Sequence, residues 1–243
     1  MTTLIKILVT AFCALLMTSC DFNFVLGKTD GNGNVIEKDL NITESFRDVH
    51  AGSGWDIILT KGDEISVVAE VDENLLDILD VYVTGSTLKI TTRESNLGRA
   101  SSKKINVTYT DDLENISVSS GANLIARDRL EGDRMRFDVS SGGSIDAMLT
   151  VRNVKAEVSS GGRIKISGGS ETVETNVSSG GIIDASDLKA ENCIAEASSG
   201  GNIKVWAGNS IVAKASSGGN VEYWGNPNKV NTPKSMSGSI TKK

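Results

Sequence analysis

Apolar and polar residues alternate in short runs through the second half of this chain. One kind of run has apolar residues two positions apart, at Ile145 and Ala147, Ile164 and Ile166, Ile183 and Ala185, Ile203 and Val205, and Val221 and Tyr223. The other kind has three alternating apolar or small positions, beginning at Met135, Val154, Val173, Cys193 and Ile211. Successive side chains of a strand point to opposite faces, so this period of two predicts strands with one buried face.

A serine- and glycine-rich phrase separates the two kinds of run and occurs six times, first as "SSGA" and then as "SSGG". Its leading serines are 21, 19, 19, 20 and 18 residues apart. A period of about 20 residues is typical of a solenoid, in which each coil buries its apolar face against its neighbours. Glycine adopts positive φ without steric cost, so we expect each phrase to form a structural corner between strands. The predicted corner residues are Ser119, Ser140, Gly142, Gly143, Ser159, Gly161, Gly162, Ser178, Gly180, Gly181, Ser198, Gly200, Gly201, Ser216, Gly218 and Gly219.

The predicted fold is all-β, a right-handed parallel β-helix, which is a solenoid with coils of about 18–21 residues. We predict the right hand because crossover connections between parallel strands are nearly always right-handed. We expect two short strands and one looser return in each coil. Residues 34–243 form a single domain, with a less regular strand-rich N-terminal part over 34–118, regular coils over 119–224 and a C-terminal cap over 225–243. Stacked corner serines are expected to bond to one another or to the corner backbone, and a ligand site is their alternative role.

Charge along the coils supports the same register. The outward residue between the paired apolar positions is Asp146, then Lys165, Asp184, Lys204 and Glu222, so its sign alternates from coil to coil. Opposite charges on neighbouring strands attract, whereas like charges repel. The sequence therefore predicts a solvated ladder of charges that fixes the register of the coils.

The N-terminal part of the domain, residues 34–118, has no clean copy of the phrase but remains rich in strand-forming residues. The stretch "AGSGWDI" from Ala51 has the composition of a degenerate corner. The stretch "DENLLDIL" from Asp72 predicts a helical piece with an acidic N-terminus. We expect this part to continue the sheet stack with longer coils and to cover the edge that a solenoid exposes at its end.

Residues 1–19 have the pattern of a secretory signal. Lys6 provides a positive charge, and "ILVTAFCALLM" is an apolar run too short to span a bilayer. The run ends in "LMTSC", which resembles the lipobox of bacterial lipoproteins, so Cys20 is the predicted lipidation site. An ordinary secretory signal with a chance cysteine is the alternative. Residues 20–33 are then the lipidated cysteine and a flexible tether, and the membrane is a predicted partner through the lipid.

The three cysteines have different predicted fates. Cys13 leaves with the signal, Cys20 carries the lipid, and Cys193 occupies an inward strand position as a small hydrophobe. We therefore expect no disulfide in the mature domain, whose stability must come from packing and hydrogen bonding.

Composition and motifs argue against several classes of function. The net charge of −6 disfavours nucleic acid as a partner. The single histidine, His50, has no neighbouring serine, cysteine or carboxylate set of the kind found in a triad or metal cluster. The glycine pairs are not followed by a helix, as a dinucleotide fingerprint requires. We predict no catalytic residue, no cofactor and no metal.

Three aromatic residues near the end of the regular coils form the candidate binding surface: Trp206, Tyr223 and Trp224. Aromatic rings combine an apolar face with a polar edge, which suits them to contacts with sugars. Packing in the core or in the C-terminal cap is the alternative role for these side chains.

The segment "GNGNVIEKDLNITESFRDVHAGSGWDIILTKGDEISVVAEVDENLLDILDVYVTGSTLKI", followed by serial "SSGG" coils, resembles the putative auto-transporter adhesin, head GIN domain family. The resemblance covers about residues 31–240. It implies a β-helical fold and an envelope location, since the members are envelope proteins of Bacteroides-type bacteria and often lipoproteins. The family name suggests adhesion and brings no catalytic residues with it.

Sequence and resemblance together predict a non-enzymatic lipoprotein of the cell envelope, anchored to the outer membrane, whose β-helix binds a glycan or a surface protein. A polysaccharide-active β-helix enzyme is one alternative, although such short coils leave little room for the long loops that build an enzyme cleft. A self-assembling envelope scaffold is the other, although the proline-containing C-terminal tail disfavours open-ended stacking.

Overall fold

The computed structural model describes residues 27–93, 96–233 and 237–243, so the predicted signal and Cys20 lie outside the described residues. Regular structure in these ranges is β apart from one 3-10 helix, Glu73–Asp77, which is shorter than the helical piece that the sequence predicted. Within the same ranges, no helix has the length and apolar character needed to cross a membrane.

The described residues form nineteen strands. In chain order they are β1 (Lys28–Thr29), β2 (Val35–Asp39), β3 (Asp48–Ala51), β4 (Asp56–Lys61), β5 (Ser66–Asp72), β6 (Leu79–Thr84), β7 (Thr87–Thr92), β8 (Asn96–Leu97), β9 (Lys103–Tyr109), β10 (Asn115–Val118), β11 (Asn123–Ala126), β12 (Leu130–Val139), β13 (Ser144–Val158), β14 (Arg163–Val177), β15 (Ile182–Ala197), β16 (Asn202–Ala215), β17 (Asn220–Trp224), β18 (Lys229–Asn231) and β19 (Ser239–Lys242).

The regular part of the molecule is a parallel stack in which each strand from β12 to β17 pairs with the next along the chain. The predicted β-helix is therefore confirmed, with about 7 turns and a coil spacing of about 19 residues. Strands β13 to β16 are single bent strands of 14–16 residues that run from corner to corner, so the return is part of the ladder and not a looser segment. Register shifts after Lys165, Ala185 and Ala190 accommodate coils of unequal length.

The register of the coils is the one that the charge column predicted. Asp146 pairs with Lys165, Lys165 with Asp184, Asp184 with Lys204, and Lys204 with Glu222. The closest ion pair within the column joins Lys204 Nζ to Asp184 Oδ2 at 3.8 Å. These side chains are all at least partly exposed, so each pair contributes little on its own.

Each corner is a tight turn with positive φ at both central positions, as in a type I′ turn. In the corner that begins at Ser140, φ is 49° at Ser141 and 72° at Gly142, and the N–H of Gly143 donates to the carbonyl of Ser140 at 2.9 Å. The other five phrases repeat these φ values within a few degrees. Positive φ thus falls on the second serine and the first glycine, so a serine shares the conformation that was expected of glycine.

The second glycine of the corner is needed for a different reason. A β-carbon on Gly181 would lie 2.6 Å from Cγ1 of Val158, so the neighbouring coil is too close for a side chain. The first glycine continues the ladder around the bend, since the N–H of Gly142 donates to the carbonyl of Ser160 in the next coil at 3.1 Å. Backbone groups therefore join the coils at the corners.

The N-terminal part extends the stack in an order that differs from the order of the chain. Strand β3 lies between β10 and β7, and β4 lies between β11 and β9. The coil made by β7 and β9 is therefore the outermost one, although it follows β3 and β4 in the sequence. Antiparallel strands β6 and β5 pair with its outer edges, and β2 pairs with β5. These antiparallel strands cover the end of the stack, as expected.

The degenerate corner predicted from Ala51 is present between β3 and β4. The φ angles of Ser53 and Gly54 are 58° and 81°, as at the regular corners. The position of the second glycine is taken by Trp55, which is fully buried and donates from Nε1 to the carbonyl of Thr91 at 3.1 Å.

Residues 28–33 are folded onto the domain, so the predicted tether over residues 20–33 is too long. Strand β1 pairs with β8, and the buried carboxylate of Asp72 accepts hydrogen bonds from the N–H groups of Ser102, Ser101 and Gly33 at 3.0, 3.1 and 3.1 Å. Burial opposes ionisation of Asp72, but the three backbone donors outweigh it and hold the pKa of this carboxyl below its ordinary value. The Asp72 carboxylate thus joins the N-terminal segment, at Gly33, to residues 101 and 102.

The C-terminal segment forms one more coil, where the sequence predicted a separate cap over 225–243. Strand β18 pairs in parallel with β16, β19 pairs in parallel with β17, and the N–H of Gly218 donates to the carbonyl of Ser237 as at the other corners. Its strands are short because Pro227 and Pro233 cannot donate to a ladder and lie in the connections.

The inward positions of all coils form one core along the solenoid axis. Cys193 lies between Val173 and Ile211 in register, is buried, and donates from Sγ to the carbonyl of Trp206 at 3.2 Å. Burial raises the pKa of this thiol to about 12. The prediction that Cys193 is a small buried hydrophobe is confirmed.

Candidate functional site

The three aromatic residues of the predicted binding surface do not lie on one surface. Tyr223 is in register with Val205 and points inward with only 7% of its surface exposed, so its predicted place on a binding surface is wrong. Trp206 and Trp224 are register neighbours on adjacent coils, and both are partly exposed.

One face of the Trp206 ring is already occupied. Nζ of Lys189 lies 4.6 Å from the ring centroid, which is within the range of a cation–π contact. The ring edge also packs over Gly208, where a β-carbon would lie 3.2 Å from Cζ3 of Trp206. A sugar could stack on the lysine-covered face only by displacing the ammonium, so the tryptophan pair is better described as a packed surface column.

A groove of about 420 Å³ runs along the solenoid beside the corners of four successive coils, and we call it the corner groove. One side of the groove consists of the first serines of the corners, Ser119, Ser140, Ser159 and Ser178. Residues two positions apart on a strand point to the same side. The other side therefore consists of the residues two positions earlier in each coil, Ser117, Asp138, Glu157 and Asn176.

The corner serines in this groove keep their hydroxyl groups free. Their N–H groups continue the ladder, as when the N–H of Ser140 donates to the carbonyl of Val118 at 3.0 Å. Their hydroxyls make no hydrogen bond to any residue that the structure describes, and all four side chains are partly buried. In this groove the expectation that serine hydroxyls link the coils is wrong, because backbone groups do so. At the last corner a serine hydroxyl does link two coils, since Oγ of Ser237 accepts a hydrogen bond from the N–H of Ser217 at 3.0 Å.

The carboxylates on the opposite side are held in place by basic neighbours. Nε of Arg136 lies 2.7 Å from Oδ2 of Asp138, and the same guanidinium also bonds to Glu157. Nζ of Lys155 lies 3.2 Å from Oε1 of Glu157. Burial opposes ionisation of Glu157, but the hydrogen bond from Lys155 and the charge of Arg136 outweigh it and lower its pKa. Both carboxylates are therefore fixed acceptors whose charge is balanced locally.

His50 and Ser117 close the N-terminal end of the corner groove. Nδ1 of His50 and Oγ of Ser117 are 2.6 Å apart across β3 and β10, although 67 residues separate them in the sequence. Burial, and then the charge of Lys89, lower the pKa of His50, so its ring is neutral at pH 7. No motif in the sequence indicates a serine beside His50, because the contact depends on the pairing of two distant strands.

By residue type, His50 and Ser117 could be a general base and a nucleophile, but their surroundings differ from those of a catalytic pair. Strand β10 lies between β3 and β12, so its N–H groups belong to sheet ladders on both sides and are not directed at a reacting oxygen. In the described ranges, no three His, Cys, Asp or Glu side chains are grouped so that they could hold a metal ion. The geometry of the groove is suited to holding a ligand by hydrogen bonds.

A match to a family model shows which protein family this chain belongs to. The family model described as putative auto-transporter adhesin, head GIN domain, matches residues 45–227, well over half of the sequence. The chain belongs to this family. The resemblance noted in the sequence is confirmed, and the matched region of this head GIN domain protein includes the whole corner groove.

Several solved structures share the fold of this head GIN domain protein. A putative adhesin from Bacteroides fragilis has 21% sequence identity and a TM-score of 0.81, with 88% of this chain and 100% of that chain covered. A putative lipid binding protein from Parabacteroides distasonis has 22% identity and a TM-score of 0.68, covering 89% and 100%. A putative adhesin from Parabacteroides merdae has 18% identity and a TM-score of 0.69, covering 89% and 99%. These similarities show the fold alone, and no functionally curated protein matches this chain.

Proposed function

We propose that this head GIN domain protein is a non-enzymatic, lipid-anchored binding protein of the cell envelope that attaches to a surface partner through the side of its β-helix. The observation that carries the proposal is the corner groove, a partly enclosed surface built across four coils and lined by serine, carboxylate and amide side chains. The description of the family and the names of the B. fragilis and P. merdae relatives, both putative adhesins, support the same role.

The construction of the coils supports binding over catalysis. Strands β13 to β16 run from corner to corner, so the regular coils have no long loops that could build an enzyme cleft. The groove side chains are instead held by strands that are paired on both sides. A surface of this kind is rigid before a partner arrives, so little ordering entropy opposes binding.

The anchor is proposed at Cys20, on the basis of the "LMTSC" motif. Seven residues, 21–27, separate Cys20 from β1. An extended chain spans at most about 3.6 Å per residue, so the folded domain would lie within about 30 Å of the membrane. The buried Asp72 contributes to this limit, because it keeps residues 28–33 from extending.

Lipidation can be tested by growing cells with an alkyne-labelled fatty acid and fractionating them. We expect the wild-type protein to carry the label and to sediment with the outer membrane, and Cys20→Ala to lose both properties. A labelled, membrane-bound Cys20→Ala protein would contradict the anchor.

Adhesion can be tested with whole cells that carry or lack the full-length protein. We expect cells with the protein to attach in greater number to immobilised mucin or to the surfaces of other bacteria. Equal attachment of the two strains on all these surfaces would contradict the binding role. Release of reducing ends or acetate from polysaccharides incubated with the purified protein would favour the enzyme alternative.

A further inference from the structure

We propose that the corner groove binds a neutral, linear, hydroxyl-rich glycan that lies along the solenoid axis. This inference rests on the proposed function and names the class of ligand and the residues that hold it. The corner serines Ser119, Ser140, Ser159 and Ser178 form one side of the site, and Asp138, Glu157 and Asn176 form the other.

The groove supplies free hydrogen-bonding groups on both of its sides. The four corner serine hydroxyls have no partner among the described residues, and the side-chain amide of Asn176 also has none. A hydroxyl donates one hydrogen bond and accepts others, and an amide does both. Sugar hydroxyls likewise donate and accept, so this set of groups matches a glycan better than a ligand that only accepts or only donates.

The balance of charge in the groove favours a neutral ligand. Asp138 and Glu157 face the groove as acceptors, and Arg136 and Lys155 neutralise them from the adjacent column of the same sheet face. An anionic chain, including nucleic acid or a uronic acid polymer, would meet these carboxylates directly. A neutral ligand can donate its hydroxyls to them through charge-assisted hydrogen bonds, which are stronger than neutral ones.

The period of the site disfavours an extended peptide as the ligand. Equivalent groups on successive coils are about 4.8 Å apart, because that is the spacing of paired strands. An extended peptide laid along the axis presents equivalent groups about every 6.8 Å, so its contacts would fall out of step within two coils.

The test uses two matched double variants of the full-length protein. Ser140→Ala with Ser159→Ala removes two hydroxyls from the middle of the groove, and Ser198→Ala with Ser216→Ala removes the same groups from two corners outside it. These hydroxyls hold no structural hydrogen bond within the described residues, so we expect all four substitutions to leave the thermal midpoint nearly unchanged. Any loss of binding can then be assigned to the groove.

Binding is measured by affinity electrophoresis in detergent, in gels containing mixed-linkage β-glucan, glucomannan or xylan, with polygalacturonate as the anionic comparison. We expect retardation by at least one neutral polysaccharide and none by polygalacturonate. The groove variant should bind about tenfold more weakly, as expected for two lost hydrogen bonds, and the outside variant should bind like wild type.

Two results would overturn the inference. One is the absence of retardation by any of the three neutral polysaccharides, and the other is equal retardation of both double variants. The whole-cell adhesion assay separates this failure from failure of the proposed function. Adhesion that persists without polysaccharide binding would leave the binding role in place and reject the glycan.

Discussion

A β-carbon on Gly162 would lie 2.7 Å from Cγ1 of Val139 in the neighbouring coil. The adjacent Gly161 has open space around it but a φ of 72°. One glycine is therefore required by packing and the other by backbone conformation. We expect Gly162→Ala to destabilise the protein by about 1–3 kcal/mol through overpacking, and Gly161→Ala by about 1 kcal/mol through strain.

Asparagine separates the two causes, because it tolerates positive φ but is larger than alanine. Gly161→Asn should be milder than Gly161→Ala, whereas Gly162→Asn should be at least as damaging as Gly162→Ala. Urea unfolding followed by circular dichroism measures all four variants. If asparagine is equally harmful at both positions, the two glycines do not have separate roles.

The charge column gives a prediction that depends on salt. Lys165 lies in register between Asp146 and Asp184, so Lys165→Asp would place three acids on successive strands. We expect a thermal midpoint about 1–3 °C lower at low ionic strength, with most of the loss recovered in 0.5 M NaCl, because surface charges are screened by salt. Lys165→Gln is the control and should show a smaller effect. A midpoint that does not change would mean that the column contributes nothing measurable.

Asp72 should make the N-terminal segment sensitive to acid. Its folded-state pKa is below the ordinary value, so its stabilising effect is present above about pH 4, where the unfolded carboxyl ionises, and is lost as the pH falls through the folded value. Asp72→Asn cannot ionise, and its amide cannot accept from all three N–H donors. At least one N–H then has no acceptor and the others lose the charge of theirs, so we expect faster hydrogen exchange at Gly33, Ser101 and Ser102 in this variant at pH 7.

The control for Asp72 is Asp77→Asn, at an exposed position of the 3-10 helix. It should leave exchange at Gly33, Ser101 and Ser102 unchanged. Wild-type exchange rates at these amides in Asp72→Asn would show that the carboxylate does not hold the segment.

We expect His50 to make the stability of the folded protein depend on pH in a higher range than Asp72 does. Its pKa is lowered by burial and by Lys89, so the folded protein binds this proton less readily than the unfolded chain, whose histidine titrates near 6.5. The stabilising effect of the neutral ring is full above about pH 6.5 and is lost as the pH falls through the folded value. We expect the thermal midpoint to fall more steeply between pH 7 and pH 5 in wild type than in His50→Gln.

The titration can also be observed directly, because His50 is the single histidine of the chain and gives one set of imidazole NMR signals. Lys89→Met removes the second cause of the shift and should raise the pKa of His50 towards 6.5. A wild-type pKa at or above 6.5 would contradict the burial of this ring.

The regular coils could be predicted residue by residue because each coil pairs with the next one along the chain, about 20 residues away. Spacing alone placed Asp146, Lys165 and Asp184 in register, and alternation alone placed Tyr223 in the core. The proposal of Tyr223 as a surface residue failed because it relied on residue type against that alternation. The pattern also shows which corner serines face outward, but not whether their hydroxyls have partners.

The N-terminal coils could not be ordered from the sequence. The pairing of β3 with β10 joins residues 67 positions apart, and strands with similar alternation can exchange places without changing the pattern. The contact between His50 and Ser117 depends on that pairing. Alternation of apolar and polar residues predicts both strands, but only the three-dimensional arrangement brings the histidine to the end of the groove.

The outermost coil of the molecule, made by β7 and β9, precedes every serine-rich corner in the chain. During synthesis from the N-terminus, this entire end can therefore be complete before the first regular coil has been made. The coil of β10 and β11 pairs with strands 67 residues behind it, and each coil after that meets a finished edge only about 20 residues behind it, so growth can then proceed in one direction by short-range additions. The covered end thus provides the strand edge to which the rest of the chain can add, one coil at a time.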